Sequence, residues 1–248
     1  MGVIYALWLR QIKRYFRSRS RIIGSLGQPL LFLLALGFGF GPIFQRAGQG
    51  NYIQFLAPGV IAMTVLFSGI FNGIELIWDR QFGFLKETLV APVPRVTIMI
   101  GRTLGGATTS VMQGLIVSIA CVIVGFRPTS VMAAGGGLVF MTLIAVMFTA
   151  LGTAIASMLS DFQGFQMIMN FLVMPIFFLS GALFPLTGLP RALDIIARID
   201  PLSYGVDGLR SSMTGVSHFG QSTDLAVLSV LTVALLLVGS RLFSRIQV

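Results

Sequence analysis

Polar side chains recur at helical spacing along several apolar stretches of this 248-residue chain. Against lipid, such groups would lack hydrogen-bond partners, so we expect the faces that carry them to point into a bundle of helices. Two roles stay open for them: hydrogen bonds that hold neighbouring helices together, and the lining of a transport pathway. The candidates for a pathway or a dimer interface are Thr64, Ser68, Asn72, Gln113, Gln166 and Asn170.

The residue patterns that would supply energy or catalysis are missing from the sequence. Neither lysine, Lys13 or Lys86, follows a glycine, so there is no Gly-Lys loop to hold the phosphates of ATP. No apolar stretch carries a charge at its centre, where an ion-coupled transporter would bind a proton or a sodium ion. The single histidine, His218, has no cysteine or glutamate near it in the sequence. We therefore expect no metal site, no bound cofactor and no catalytic residues in this chain.

The overall composition predicts an all-α integral membrane protein. With 55% hydrophobic and 10% charged residues, the chain cannot cover a surface that faces water. No linker separates a second domain, so residues 1–248 are predicted to form one membrane domain. Six stretches are long and apolar enough to span a bilayer, and they are residues 22–41, 55–77, 98–124, 131–158, 164–184 and 225–243.

The basic residues, which give a net charge of +9, predict the orientation of these spans. Twelve of them lie in the N-terminal segment, around the loop after the second span, and in the C-terminal tail, whereas five lie on the opposite side. Lysine and arginine accumulate in cytoplasmic loops, so both termini are predicted to be cytoplasmic. This bias explains the charge without a nucleic-acid partner.

Residues 1–21 are predicted to form an amphipathic helix in the plane of the lipid headgroups. One face carries aliphatic and aromatic residues, while the opposite face carries basic residues that would contact anionic headgroups. A solvated basic leader is the alternative. The candidate membrane-interface residues are Trp8, Arg10, Lys13, Arg14 and Arg17.

A short cytoplasmic helix is predicted over residues 79–90, ending before Pro92. Phe82, Leu85 and Leu89 share a stripe that would hold it on the bundle, and Phe84 projects from nearly the opposite side. A helix with apolar residues on two sides needs a second partner besides its own bundle. The alternative is a helix that lies only on the membrane.

The long outer loop is predicted to contain a re-entrant hairpin over residues 185–214. Two amphipathic segments, each too short to span, meet at Asp200 and Pro201. We expect their apolar side chains to be buried and their charges to face water or each other, so that the hairpin forms an outer gate. The gate candidates are Leu193, Ile196, Asp200, Pro201, Tyr204, Asp207 and Arg210.

Three segments resemble the permeases of ABC-2 type transporters, in particular the bacterial drug-exporter branch similar to daunorubicin-export and nodulation-factor-export permeases. They are FLKETLVAPVPR at 84–95, LSGALFPLTGLPRAL at 179–193 and DPLSYGVDGLR at 200–210. Asp200 departs from the asparagine that this family often has before the proline.

The resemblance implies a homodimer docked on two separate ATP-binding-cassette subunits, which bind ATP and magnesium, in a prokaryotic inner membrane. It also implies that residues 79–90 are the coupling helix, whose candidate contacts are Arg80, Phe82, Phe84, Leu85, Lys86, Glu87 and Leu89. The expected function is export of an amphipathic drug, lipid or glycan-type cargo. A secondary transporter or facilitator that works without ATP is the alternative.

Overall fold

The computed structural model describes residues 2–48, 50–85, 93–159 and 161–244, which form helices and connecting loops with no strand in those ranges. The helices are α1 (Gly2–Arg17), α2 (Arg19–Arg46), α3 (Tyr52–Phe71), α4 (Ile74–Gln81), α5 (Arg95–Val124), α6 (Val131–Met158), α7 (Phe162–Ile168), α8 (Met174–Leu179), α9 (Arg191–Ile199), α10 (Pro201–Thr214) and α11 (Gln221–Ser244).

Within the described ranges, six helical segments are long and apolar enough to cross a membrane, which confirms the predicted all-α membrane fold. They are Ile22–Arg46, Tyr52–Gln81, Arg95–Val124, Ala133–Met158, Phe162–Leu179 and Gln221–Ser244. Each corresponds to one predicted span, and most extend a few residues beyond it because polar and basic residues continue the helices past their apolar centres.

Helix α3 forms the centre of the bundle. It packs against α2, α5, α6 and α10, and side chains such as Leu56, Ile61 and Leu66 are completely buried. The outermost helices, α2 and α11, leave large apolar residues such as Phe38 and Leu237 exposed. Such surfaces suit contact with lipid or with another protein chain.

The second span is broken at Asn72 and Gly73, between α3 and α4. A Cβ atom on Gly73 would lie 2.3 Å from the backbone oxygen of Gly152 in α6, so only glycine permits this approach. This break is confined to the hydrogen-bond pattern, because Asn72 and Gly73 keep right-handed helical backbone angles and α4 continues the span.

The fifth span is also irregular. Between α7 and α8, residues Met169–Val173 form a π-helical turn. Pro175 follows at the start of α8. Proline has no N–H to donate, and its ring crowds the carbonyl four residues earlier, which is that of Phe171. A widened turn accommodates this crowding while the span continues.

The predicted cytoplasmic helix over 79–90 is wrong as a single element. Helix α4 ends at Gln81, and Gly83 has a φ of +81°, which no regular right-handed helix contains. Phe82 is 74% exposed instead of packing on the bundle. Because of the positive φ at Gly83, Phe82 is exposed while Leu85 is buried, so these two residues do not share the face that a continuous helix would give them. Residues 86–90 of this prediction lie outside the described residues.

The N-terminal helix ends at Arg17, four residues before the predicted boundary, and packs lengthwise against α5. A Cβ atom on Gly105 of α5 would lie 2.7 Å from Cβ of Gln11, so the two backbones are close. Trp8 Nε1 donates a hydrogen bond to Thr108 Oγ1 at 3.0 Å. Helix α1 is therefore held by the bundle along one side.

The outer segment differs from the predicted hairpin in which side chains it buries. Helix α10 packs against α6, α11 and α3, and it buries Asp207 and Arg210, which had been expected to face water or to face other charges across the hairpin. Helix α9 lies at the edge, where Ile196 is exposed and Leu193 is half-buried. The two segments therefore do not share one apolar face, because α10 is part of the bundle core.

Candidate functional site

A polar network joins α3 to α5 in the middle of the bundle. Asn72 Nδ2 donates to the backbone oxygen of Gly106 at 3.0 Å and to Ser110 Oγ at 3.2 Å. Ser110 Oγ in turn donates to Ser68 Oγ at 3.1 Å. Gln113 Nε2 donates to Ser25 Oγ of α2. These bonds satisfy polar groups that lipid would leave unpaired, and they hold three helices around one space.

That space, the inner cavity, has a volume of about 370 Å³ and lies between α2, α3, α4, α5 and α7. Its aromatic walls are Phe67, Phe71, Trp78 and Phe162. Its polar and charged lining comprises Ser25, Gln28, Thr64, Ser68, Asn72, Glu75 and Gln113. The structure thus brings together four of the six pathway candidates.

The other two pathway candidates, Gln166 and Asn170, do not line the inner cavity. Gln166 is half-buried and Asn170 is exposed on the surface of the fifth span. Phe162, from the same span, reaches the cavity instead. The π-helical turn widens the backbone at Met169–Val173, so the face predicted from a regular helix does not continue through this span.

Below the inner cavity lies a cluster of charged residues centred on Asp79. Its carboxylate accepts hydrogen bonds from Arg10 at 3.2 Å and from Arg102, and Arg14 approaches it at 3.8 Å. Arg14 also lies 3.6 Å from Glu75. Asp79, Glu75 and Arg102 are buried, so their charges require these partners. The sequence analysis did not pair these residues. The sequence indicated only that Arg102 lies at the same end of its span as Asp79 and Glu75 do of theirs.

Beside this cluster, α1 and α4 form a surface groove of about 600 Å³, the basic groove. It is lined by Ala6, Leu9, Arg10, Lys13, Arg14, Arg17, Trp78, Asp79, Phe82 and Phe84. Four of the five residues assigned to the membrane interface thus line this groove, whereas Trp8 faces α5.

Of the described coupling candidates, Phe82 and Phe84 line the basic groove, whereas Arg80 and Leu85 do not. Phe84 is 54% exposed and Leu85 is fully buried. Arg80 Nη1 donates to the backbone oxygen of Leu159 at 3.0 Å and so ties α4 to the end of α6. Lys86, Glu87 and Leu89 lie outside the described residues.

The outer gate candidates form the junction between α9 and α10. Asp200 Oδ1 accepts from the N–H of Leu202 at 2.9 Å and caps α10, with Pro201 in the first turn. Tyr204 Oη donates to the backbone oxygen of Arg198 at 2.7 Å, which fixes the angle between the two helices. Burial raises the pKa of Asp200 to about 7, against the opposing effect of the hydrogen bond from Leu202.

Among the described residues, no group of three or more histidine, cysteine, aspartate or glutamate side chains could hold a metal ion. The buried carboxylates at the inner end instead pair with arginine. Six membrane-length helices, four of which line a cavity with both aromatic and polar residues, are the features of a multi-pass membrane protein.

The chain belongs to the ABC-2 type transporter family, whose sequence profile matches residues 2–214. Nodulation protein J of Rhizobium leguminosarum bv. viciae is 27% identical over 243 residues, covering 97% of this chain and 93% of that protein. Transport permease ycf38 of Porphyra purpurea is 30% identical over 213 residues, covering 84% of this chain and 72% of that protein. Inner membrane transport permease YadH of Escherichia coli K12 is 26% identical over 245 residues, covering 97% and 94% respectively. These similarities confirm the predicted family.

Proposed function

We propose that this chain is the membrane-spanning subunit of an ATP-driven exporter. Two copies form the membrane part, and each copy docks one separate ATP-binding-cassette subunit that binds ATP and magnesium. Closure of those subunits moves the cytoplasmic ends of the spans, and the cavities between the copies open outward to release cargo.

Helix α4 is the observation that carries this proposal. Glu75 and Trp78 of α4 line the inner cavity, while Trp78 and Asp79 line the basic groove. The helix continues the second span beyond the irregular turn at Gly73 and ends just before Gly83. One short element therefore contacts both the space for cargo and the surface for a partner, so movement at the groove is transmitted to the cavity.

The basic groove is the proposed docking surface for the ATP-binding subunit. Phe82 and Phe84 present two aromatic side chains there with more than half of their surface exposed. Aromatic side chains that fill a partner's pocket contribute a large share of binding energy at protein interfaces. The family resemblance of residues 84–95 assigns the coupling contact to the same segment.

The lining of the inner cavity suits an amphipathic cargo. Four aromatic side chains offer apolar contact, and Asn72, Gln113 and Ser68 add polar groups to the same lining. Nothing in this mixture selects one chemical class, so drugs, lipids and glycan-type molecules all remain within the proposal. The cargo enters from the cytoplasm or the inner leaflet.

The proposed setting is the inner membrane of a prokaryotic cell, with both termini in the cytoplasm. The twelve basic residues on the terminal side support this orientation. Lys13 and Arg17 are exposed on α1, where anionic lipid headgroups would meet them. The exposed apolar surfaces of α2 and the fifth span supply area for the second copy. Helix α9 exposes Ile195, Ile196 and Ile199. It is proposed to contact helix α9 of the second copy and so form the outer gate.

The decisive experiment is co-purification of the tagged chain with its ATP-binding subunit, followed by cargo-stimulated ATP hydrolysis in lipid nanodiscs. We expect Phe84→Ala to reduce co-purification at least tenfold, since losing an aromatic anchor costs about 2 kcal/mol or more. Leu237→Ala is the matched control, because Leu237 is 61% exposed but lies within the last span, outside both proposed interfaces.

The folded state of both variants is checked by their elution profile and melting temperature. Unchanged co-purification and transport in a folded Phe84→Ala variant would remove the docking role. Transport that persists with a hydrolysis-deficient partner and stops with a protonophore would favour the alternative of a secondary transporter.

A further inference from the structure

Two buried aspartates, the aspartate pair, join helix α10 to the last span at the end of the bundle opposite the basic groove. Asp207 lies in the middle of α10, and Asp224 lies in the first turn of α11. The two residues are 3% and 0% exposed, and their side chains are in hydrogen-bond contact. The predicted outer gate includes Asp207 but not Asp224.

Asp207 is the acceptor of this pair. Its Oδ2 accepts from the N–H groups of His218 at 2.8 Å and Phe219 at 2.7 Å, and from Ser217 Oγ at 3.1 Å. Its Oδ1 accepts only the second branch of the His218 bond, at 2.9 Å. A carboxylate oxygen has two lone pairs, so Oδ1 can accept one more donor.

Asp224 has the opposite surroundings. A carboxylate in the first turn of a helix is placed to interact with free backbone N–H groups. Neither oxygen of Asp224, however, has a hydrogen-bond donor within the described part of the chain. Two ionised carboxylates cannot form a hydrogen bond because both only accept, whereas a protonated carboxyl group has an O–H to donate. The contact between Asp207 and Asp224 therefore requires one proton, and Asp224 is the residue that holds it.

The charges around the aspartate pair compensate for only one carboxylate. Arg210 lies three residues after Asp207 on α10 and attracts it electrostatically. Its Nη2 donates to the backbone oxygens of Gly181 at 2.9 Å and Phe55 at 3.3 Å. Asp224 forms no ion pair among the described residues. Two negative charges side by side in a buried site repel each other strongly, and one proton removes that repulsion.

Apart from Arg210, the titratable side chains of the elements around the aspartate pair have contacts elsewhere or lie far from it. Helix α6, which packs against α10 and α11, contains none. Those with other contacts are Tyr52 with Leu183, Arg127 with Val122, Asp194 with Arg198, Asp200 with Leu202, and Tyr204 with Arg198. Those at the distant ends of their helices are Arg95, Arg102, Arg191 and Arg241. The ring of His218 packs edge-on against Phe219, with ring centres 4.6 Å apart, so this imidazole needs a control of its own.

Water reaches the aspartate pair from this end of the bundle. Asp207 lines a cavity of about 330 Å³, the outer cavity. Val216, Ser217 and His218 line the same cavity and are exposed. Asp224 has no exposed surface of its own. Its proton therefore exchanges with water by way of Asp207 and the outer cavity.

We infer that Asp224 holds a proton and donates it to Asp207, and that this proton makes the contact between α10 and the last span sensitive to pH. With the proton bound, the hydrogen bond holds the two helices together. When the proton leaves to water, two buried negative charges face each other and the contact opens. This inference concerns the chain alone and does not require the ATP-binding subunit, so it can fail without affecting the proposed export function.

The test replaces the titrating group by one that keeps a donor. Asp224→Asn retains an N–H that can donate to Asp207 but binds no proton. Asp194→Asn is the matched control, because it removes a carboxylate that pairs with Arg198 on α9 instead. All variants also carry Asp200→Asn, since burial raises the pKa of Asp200 to about 7 and this group would add a pH dependence of its own. The full chain with Asp200→Asn alone is the reference chain.

The first readout is thermal unfolding in detergent from pH 5 to pH 8. The folded reference chain holds a proton that the unfolded chain releases above about pH 4, so its stability falls as the pH rises. We expect its melting temperature to fall by about 5–10 °C more over this range than that of the Asp224→Asn variant. Asp194→Asn should keep the slope of the reference chain. So should His218→Gln, which retains the N–H that binds Asp207.

The second readout is infrared spectroscopy, in which the C=O stretching band of a protonated carboxyl group is separate from the bands of ionised carboxylates. We expect the reference chain to show this band at pH 6. The Asp224→Asn variant should lose it, whereas the Asp194→Asn variant should keep it.

Equal pH slopes in Asp224→Asn and the reference chain overturn the inference, and so does a slope that disappears in His218→Gln. Absence of the infrared band from the reference chain overturns it as well. Sodium or calcium chloride at pH 8 is compared with choline chloride at equal ionic strength. Stabilisation by either metal salt that Asp224→Asn abolishes would place a metal ion, instead of a proton, between the carboxylates. If Asp224→Asn does not fold, Asp224→Ser, which retains an O–H donor, is compared by the same criteria.

Discussion

Replacing Asp79 by asparagine should destabilise the protein more than any change to its surface arginines. The variant keeps the size of the side chain but removes the charge that pairs with Arg102. The Arg102 side chain is 6% exposed and that of Asp79 is 5% exposed, so the remaining guanidinium would be buried without a counter-charge. Breaking a buried ion pair from one side costs about 3–5 kcal/mol.

The other partners of Asp79 contribute much less because water screens them. The Arg10 side chain is 42% exposed, and an exposed pair of this kind contributes about 0–1 kcal/mol. At roughly 2–4 °C per kcal/mol for a chain of this length, Asp79→Asn should lower the melting temperature by about 6–20 °C. Arg10→Gln should lower it by no more than about 4 °C by the same conversion.

The assay is thermal unfolding of purified protein in detergent, followed by tryptophan fluorescence. The double variant Asp79→Asn with Arg102→Gln removes both buried charges, and we expect it to be more stable than Asp79→Asn alone. Equal losses in Asp79→Asn and Arg10→Gln would refute the assignment of Arg102 as the main partner. If the stability losses of Asp79→Asn and Arg102→Gln simply add up in the double variant, that result would also refute the assignment of Arg102 as the main partner.

Two further outcomes follow from the structure. Asp200→Asn keeps the cap on α10 and removes a carboxylate whose folded-state pKa is raised to about 7. The folded wild type holds the proton that the unfolded chain releases, so wild-type stability falls as the pH rises from about 4 to 7. The melting temperature of the variant should therefore exceed that of wild type by more at pH 8 than at pH 5, and an equal difference at both pH values would contradict the burial of this group. Gly73→Ala should abolish or severely reduce folded protein, because its Cβ would lie 2.3 Å from a backbone oxygen of α6. Gly135→Ala, with no atom within 4 Å of its Cβ, should be neutral or slightly stabilising in the same expression and melting assays.

The spans could be predicted from the sequence because hydropathy and length are properties of consecutive residues. The breaks within the spans could not be predicted in this way. Glycine is required at position 73 because the backbone of Gly152, in another helix, lies against it. That contact cannot be seen in the sequence. A continuous helix through Gly83 was the simplest interpretation of the pattern around Phe82, and the positive φ at that glycine changes which side chains face the bundle.

The charged residues show the same limit of prediction. Asp207 and Arg210 were expected to face water or other charges across the hairpin, because isolated charges avoid the interior of proteins. Their partners include backbone groups of Gly181, His218 and Phe219, and backbone groups have no signature in the sequence. The stripe on α3 was expected to face inward, and in the structure Asn72 and Ser68 form hydrogen bonds with α5.

The long side-by-side contact between α1 and α5 has a consequence for how the chain is made. Trp8 and its partner Thr108 are separated by 100 positions in the sequence. At about 5–20 residues per second, the ribosome delivers that partner roughly 5–20 s after the first helix has emerged. During this interval α1 has no α5 to pack on. We predict that its amphipathic sequence then holds the helix at the lipid headgroups until the third span is inserted beside it.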